Sequence, residues 1–252
     1  MTPETQQRLL DLNRAFYATV AVPFDGTRMS LPDGMTHSLH WLPSANPLTV
    51  LDVGCGNGRF AWALETLARR IEYTGLDADE TLLTLAHAHA ERFRHVQTRF
   101  LQTNIAGPGW ATRPDLATGF DAVVCLATLH HFPGYELRRS ILRDLANLLA
   151  TNGRLIVAAW QFLLSPRLRA RQMDWAEVGL RTDDVEPGDA LLPWKQGVFA
   201  IRYVHQIDAE EMRSLAQDVG LTIVASFRAD GEDGDLNLYW LLEPARRQPP
   251  KH

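Results

Sequence analysis

The most constraining stretch of this chain is the apolar run Leu48-Thr49-Val50-Leu51-Asp52-Val53. It is followed at once by Gly54-Cys55-Gly56-Asn57-Gly58, and then by Arg59–Arg70 with apolar residues at helical spacing. A short β-branched run of this kind marks a strand buried on both faces. Glycines at 54, 56 and 58 permit positive φ and let a ligand approach the backbone, while the helix that follows presents free N–H groups. The order is strand, glycine turn, helix.

The alternation then repeats. Strand-like runs at 71–77, 96–102, 120–126 and 154–160 are interleaved with helix-patterned segments at 81–90 and 136–150. Strands alternating with helices predict a parallel sheet with helices on both faces. A last helix over 208–219, stopped by Gly220, leads into runs at 221–227 and 236–242 joined by Ala229-Asp230-Gly231-Glu232-Asp233-Gly234-Asp235. That linker is a strong turn signal and predicts an antiparallel hairpin at one edge of the sheet. The expected fold class is therefore α/β: a Rossmann-like, seven-stranded, mostly parallel sheet with one antiparallel edge hairpin strand and helices on both faces.

The length of 252 residues suits one large domain. Within 1–252 the pattern divides into an N-terminal helix and loop cap (1–47), a cofactor-binding core (48–160), an insertion on the acceptor side (161–207) and a C-terminal helix and hairpin (208–243). Apolar spacing predicts the first helix over 4–21 with Pro23 as its end, then a loop as far as Pro47. Pro166, Pro187, Gly188 and Pro193 break the rhythm within the insertion, and residues 246–252 are expected to fray.

The opening Met1–Leu12 has no basic region followed by an apolar one, and the longest uncharged run, Gly34–Leu51, carries His37, His40, Pro43 and Pro47. These features predict a soluble, cytoplasmic protein with no membrane span. Cys55 and Cys125 fit neither a disulfide framework nor a zinc spacing; both read as buried thiols, and no metal site is expected. The net charge of −5 argues against nucleic-acid binding through bulk positive charge, but it leaves room for a local patch. Arg138, Arg139, Arg167, Arg169 and Arg171 are the candidates for such a face.

The ligand of the glycine turn is constrained by charge. Asp52 enters the turn, and Asp77 closes the second strand. An acid at close range disfavours a pyrophosphate and suits a cationic or zwitterionic ligand. Asp77 can accept both hydroxyls of a ribose. A ribose, an amino-acid portion and a positive centre together describe S-adenosylmethionine; the competing reading is a nicotinamide-binding domain in which Asp52 is incidental.

Over roughly residues 45–160 the chain resembles the class I S-adenosylmethionine-dependent methyltransferases. The resemblance implies that Asp52, Gly54, Cys55, Gly56 and Gly58 face the methionine moiety and that Asp77, with Ala78, meets the ribose. It also places Asn104, with Ile105, at the adenine amine, and Leu126 and Ala127 along the cofactor.

The acceptor should lie beyond the carboxyl ends of strands four and five. There His130 or His131 could act as a general base, or only shape the pocket. A narrower resemblance rests on Phe16-Tyr17, Thr27-Arg28, Leu129-His130-His131-Phe132, Leu191-Leu192-Pro193-Trp194-Lys195, Arg202-Tyr203-Val204-His205 and Asn237-Leu238-Tyr239-Trp240. These runs are similar to those of the tRNA wobble-uridine carboxymethyl methyltransferases. Val204, and Leu236-Asn237-Leu238, depart from that family's pattern.

The resemblance implies esterification of a carboxymethyl uridine on tRNA. A carboxylate acceptor needs charge neutralisation rather than a base, for which Arg28, Arg202 and His205 are the candidates, with Tyr17 and Tyr203 as stacking partners for a base. Two alternatives stand beside it: a small-molecule methyltransferase, and a cofactor-binding regulatory subunit without catalysis. The need for an activating protein subunit is left open.

Overall fold

The computed structural model describes residues 1–245, so the C-terminal run 246–252 lies outside the described residues. The chain opens with helix α1 (Pro3–Gly26), whose N-cap Thr2 accepts from the Thr5 N–H. Pro23 does not end this helix as the sequence pattern predicted. It forfeits one helical hydrogen bond, but Phe24 packs edge-on against Tyr17 and tilted against Trp194, each at 6.0 Å, and the last turn closes at Thr27. The expected loop to Pro47 contains a second helix, α2 (Asp33–Ser38), and a 3-10 turn over Leu39–Trp41. Met35, Leu39 and Leu42 bury their side chains against the sheet, which is why this stretch is ordered.

The core follows as β1 (Leu48–Val53), α3 (Arg59–Glu65), β2 (Ile71–Asp77), α4 (Glu80–Ala90), β3 (Val96–Gln102), β4 (Phe120–Leu126), α5 (Tyr135–Asn147) and β5 (Leu149–Trp160). After a short helix α6 (Pro166–Arg169) come β6 (Asp189–Trp194), β7 (Ala200–His205), α7 (Ala209–Asp218), β8 (Leu221–Ala229) and β9 (Asn237–Pro244). The main sheet has seven strands in the order β3-β2-β1-β4-β5-β9-β8. Strands β1 to β5 are parallel, and β9 runs antiparallel to both neighbours. The reversed strand of the hairpin therefore sits one place in from the edge, and β8 forms the edge itself.

Alternate residues of the central strands feed two cores. Val123 and Cys125 of β4 join the layer beneath α5 and α7, while Ala122 and Val124 join the layer beneath α2, α3 and α4. This is the two-sided burial that the continuous apolar runs imply.

The insertion is more structured than its prolines suggested. Strands β6 and β7 pair antiparallel as a separate two-stranded sheet, with Pro193 opposite Ile201. Proline is tolerated there because the ribbon has only two strands, and the other side of β6 meets only the single Met173–Leu191 bridge. Helix α1 lies along this ribbon: Leu9 packs with Leu191 and Tyr203, and Phe16 and Val20 pack with Trp194. Asn13, buried in the middle of α1, donates to the carbonyls of His131 (3.0 Å) and Tyr203 (3.1 Å) and accepts from the Tyr203 N–H (2.8 Å). The N-terminal cap and the insertion thus form one roof above the carboxyl ends of the parallel strands. No helix among the described residues is long and apolar enough to cross a membrane.

Candidate active site

A cavity of about 650 Å³ lies between roof and sheet, at the strand ends where open α/β folds bind ligands. Its floor is the glycine turn. Gly54 and Gly56 have φ of +78° and +54°, a region L-residues with side chains disfavour. A Cβ at Gly54 would stand 2.2 Å from the Thr128 hydroxyl oxygen, whereas one at Gly56 meets nothing within 4 Å, so open space borders the backbone there. Gly58 plays a different part from the one the resemblance implies. It caps α3 and faces Ala86 and Phe100, at 3.2 and 3.4 Å from a built Cβ; it permits close packing of α3 on α4 and does not line the cavity.

The two acids sit on either side of this floor. Asp52 is buried at the end of β1 and accepts the Tyr73 hydroxyl at 2.7 Å. Burial pushes its carboxyl up to about 7; the Tyr73 bond opposes the rise and nearby Asp77 adds to it. Asp77 accepts the Gly56 N–H at 2.8 Å and the Asp79 N–H at 2.9 Å, and burial raises it too. Asp52, Gly54, Cys55, Gly56, Asp77, Ala78, Asn104, Ile105, Leu126 and Ala127 all line the cavity. Asn104 is exposed and its side-chain oxygen accepts from the Ala106 N–H, while Ala127 adopts φ +52°. An acid at each end of an open glycine floor fits a ligand with a ribose at one end and an ammonium at the other.

Above the floor the cavity is bounded by Tyr17, Phe24, Arg28, His131, Trp160 and Arg202. Burial, with the charge of Arg202 nearby, depresses His131 to about 3, so its imidazole is neutral. Its Nδ1 lies 3.1 Å from the Tyr203 carbonyl and must donate there; Nε2 then accepts the Tyr17 hydroxyl at 2.8 Å. His130 is fully buried, stacks on Trp160 at 5.2 Å and makes no hydrogen bond, so it serves packing.

Arg202 is the unusual group. It is 7% exposed, its guanidinium lies 4.3 Å from the Trp160 ring centre and 5.2 Å from that of Phe16, and its Nε has no hydrogen-bond partner. Among the described residues it has no ion pair, and burial lowers it to about 10. Arg28 stacks on Phe24 at 4.3 Å and faces the same space.

His205 and Tyr203 point elsewhere. His205 is held between Asp189 and Glu211, at 2.7 Å from each, and Tyr203 donates to Asp189 at 2.6 Å. Arg138, expected on a basic surface, is buried here instead, donating to Glu186 (2.9 Å), Glu211 (2.8 Å) and the Phe132 carbonyl (3.0 Å). Neither His205 nor Tyr203 lines the cavity, so neither is placed to meet an acceptor. Arg139 pairs with Glu136 and Asp218. Of the expected basic face, only Arg167, Arg169 and Arg171 remain exposed and without an ion pair among the described residues.

Several cavity residues escaped sequence reasoning: Asn13, Arg59 and Trp160. Asn13 carried a readable signal, since it lies on the same face of α1 as Leu9, Phe16 and Val20. Trp160, at the end of a strand, carried none.

Comparisons with known proteins point to methyltransferases. The methyltransferase-domain family matches residues 51–155. A mouse protein described as tRNA (carboxymethyluridine(34)-5-O)-methyltransferase ALKBH8 is 27% identical over 144 residues, covering 57% of this chain and 19% of that protein; the chain spans about a fifth of the length of the curated relatives it matches. Among solved structures, an S-adenosylmethionine-dependent methyltransferase of Methanosarcina mazei superposes with a TM-score of 0.65 at 18% identity, covering 83% of this chain and 97% of that one. The 1,6-didemethyltoxoflavin-N1-methyltransferase of Burkholderia thailandensis superposes with a TM-score of 0.59 at 18% identity, covering 92% and 85%. Residues 51–155 thus match a methyltransferase domain, and the strand order, the open glycine floor and the two acids give the chain the fold of a class I S-adenosylmethionine-dependent methyltransferase.

Proposed function

We propose that this methyltransferase esterifies a carboxylate, and that the acceptor is the carboxymethyl group of a modified tRNA uridine. The observation that carries the carboxylate reading is Arg202, a buried guanidinium beside the cavity with no counter-ion among the described residues. An unpaired buried cation is costly, and a ligand carboxylate would complete it. The cofactor, when bound, supplies an electrophilic methyl carbon on a sulfonium. An acceptor carboxylate is already nucleophilic, so no proton has to be removed. With the cofactor bound, a carboxylate oxygen would take the methyl group as the carbon–sulfur bond breaks, giving a methyl ester and S-adenosylhomocysteine.

The chain's own residues supply position and field. Arg202 holds the carboxylate, flat on Trp160; Arg28 adds positive potential from the neighbouring wall. Neutral His131 keeps the Tyr17 hydroxyl fixed at the edge of the space. Support for tRNA comes from the relatives described as carboxymethyluridine methyltransferases and from exposed Arg167, Arg169 and Arg171 on and after α6, at the same end of the sheet as the cavity.

A second reading, a small molecule as acceptor, is favoured by the net charge of −5 and by a structural neighbour described as 1,6-didemethyltoxoflavin-N1-methyltransferase. One assay separates them: radiolabelled methyl transfer to an anticodon stem–loop carrying 5-carboxymethyluridine, to the free nucleoside, and to small carboxylic acids. The tRNA reading expects base-labile label on the stem–loop, falling steeply with salt and weakened by R167E/R169E/R171E. Label on small acids alone would leave only the second reading, and label on nitrogen or phenol acceptors alone would end the carboxylate reading.

A further inference from the structure

Asn13 stands inside α1, a helix of 24 residues, although its short amide side chain competes with the helical backbone and is disfavoured there. It is 6% exposed, and both polar atoms of its side chain are used. Two of its three bonds go to one residue: Oδ1 accepts the Tyr203 N–H at 2.8 Å and Nδ2 donates to the Tyr203 carbonyl at 3.1 Å. A neighbouring antiparallel strand would exchange the same two bonds, and the Asn amide has the donor and acceptor of a peptide group. Strand β7 pairs with β6 on one side and has no strand on the other among the described residues. Asn13 therefore closes its free edge at a single position.

That position is next to Arg202. The third bond, from Nδ2 to the His131 carbonyl at 3.0 Å, ties it to the turn after β4, whose Leu126, Ala127 and Thr128 line the cavity. The His131 ring repeats the link, with Nδ1 3.1 Å from the Tyr203 carbonyl. The Arg202 side chain itself lies against the Trp160 and Phe16 rings, contacts that orient a plane without fixing a position along it. Methyl transfer tolerates little error, since a misplacement of about 1 Å can cost about a hundredfold.

We propose that Asn13 is a positioning residue: its amide replaces a missing strand beside β7, and so holds the Arg202 guanidinium at a set distance from the cavity wall after β4. With its polar atoms spent, it acts through the strand and not on the acceptor. What Arg202 holds rests on the carboxylate reading; where Arg202 lies does not.

Asn13→Leu, close to Asn in size, removes all three bonds, and Asn13→Ala removes them while letting water from the cavity reach the freed groups. Nuclear magnetic resonance reads the position without an acceptor. The Arg202 Nε–H signal, identified by its loss in Arg202→Met, should be shifted upfield by the Trp160 ring in the wild type and move towards the signals of exposed arginines in both Asn13 variants. On a stem–loop carrying 5-carboxymethyluridine, each variant should lower kcat/KM by about tenfold to a hundredfold, with affinity for S-adenosylhomocysteine unchanged. Combined with Arg202→Met, the two losses should not multiply. An unmoved signal, or losses that multiply in full, overturns the assignment and leaves Asn13 a residue of the fold alone. Failure of the carboxylate reading looks different: Arg202→Met would leave methyl transfer intact while the Asn13 variants still move the signal.

Discussion

The Tyr17 hydroxyl donates to Nε2 of His131 at 2.8 Å, tying a residue of the first helix to the turn after β4. The imidazole already spends Nδ1 on the Tyr203 carbonyl, so neither nitrogen is free to take a proton from an acceptor. His131 is a positioning residue. Its replacement by Ala should lower kcat/KM by about tenfold to a hundredfold through loss of Tyr17 orientation. Because the ring stays neutral down to about pH 3, the wild-type kcat profile should show no limb near pH 6.5 from this group. A His131-dependent limb there would refute the assignment.

Arg202 sets function against stability. Removing a buried cation without a counter-ion relieves desolvation, so Arg202→Met should leave Tm unchanged or raise it. The same change should cut methyl transfer to a carboxylate by about a hundredfold, near what the loss of one charge-stabilising group costs. Thermal denaturation and initial rates measured together decide the point: a large drop in Tm would mean that Arg202 is structural.

Asp52 gives cofactor binding a pH signature. Its carboxyl, raised by burial to about 7, is protonated in much of the free protein below that pH, while a ligand ammonium favours the ionised form. Binding should therefore release a proton, and affinity for S-adenosylhomocysteine should climb by up to about tenfold per unit towards pH 7 and then level off. Asp77 and Cys55 also face this space, so Asp52→Asn is the control that should flatten the profile. Because the folded value is raised, stability of the free protein from this group should fall as pH rises from about 4 to 7.

The cluster around Arg138 carries structure, not chemistry. Arg138→Met would leave Glu186 and Glu211 without their buried partner and should cost about 3 kcal/mol. Burial opposes charging of His205, but its bonds to Asp189 and Glu211 outweigh that and raise it above 6.5. Its stabilising contribution is then complete below pH 6.5 and is lost as pH climbs through the raised value. Denaturant titrations of His205→Gln at pH 6 and pH 9 should show the larger deficit at pH 6.

The parallel core was legible because Leu48–Val53 and Phe120–Leu126 are continuous apolar runs, and a strand covered on both faces has no other pattern. Asp52 and Asp77 were legible by charge. What stayed hidden depends on distant pairings. Arg138 read as part of a surface face and His205 as an acceptor-site cation because the acids that hold them, Glu186, Asp189 and Glu211, lie 6 to 73 positions away. Gly58 matched a ligand-binding spacing, yet it packs on Ala86, a contact that only the crossing of α3 and α4 creates. The β6–β7 ribbon was masked by Pro193, whose cost is small in a two-stranded ribbon that is bridged at Leu191 and not at the proline.

Asn13 makes ceiling and wall a single piece. Its amide spans helix, turn and ribbon at once, so the three elements bordering the acceptor space are held together by one side chain. Acceptor choice can then drift through substitutions along one face of the leading helix, while the nucleoside pocket below stays as it is.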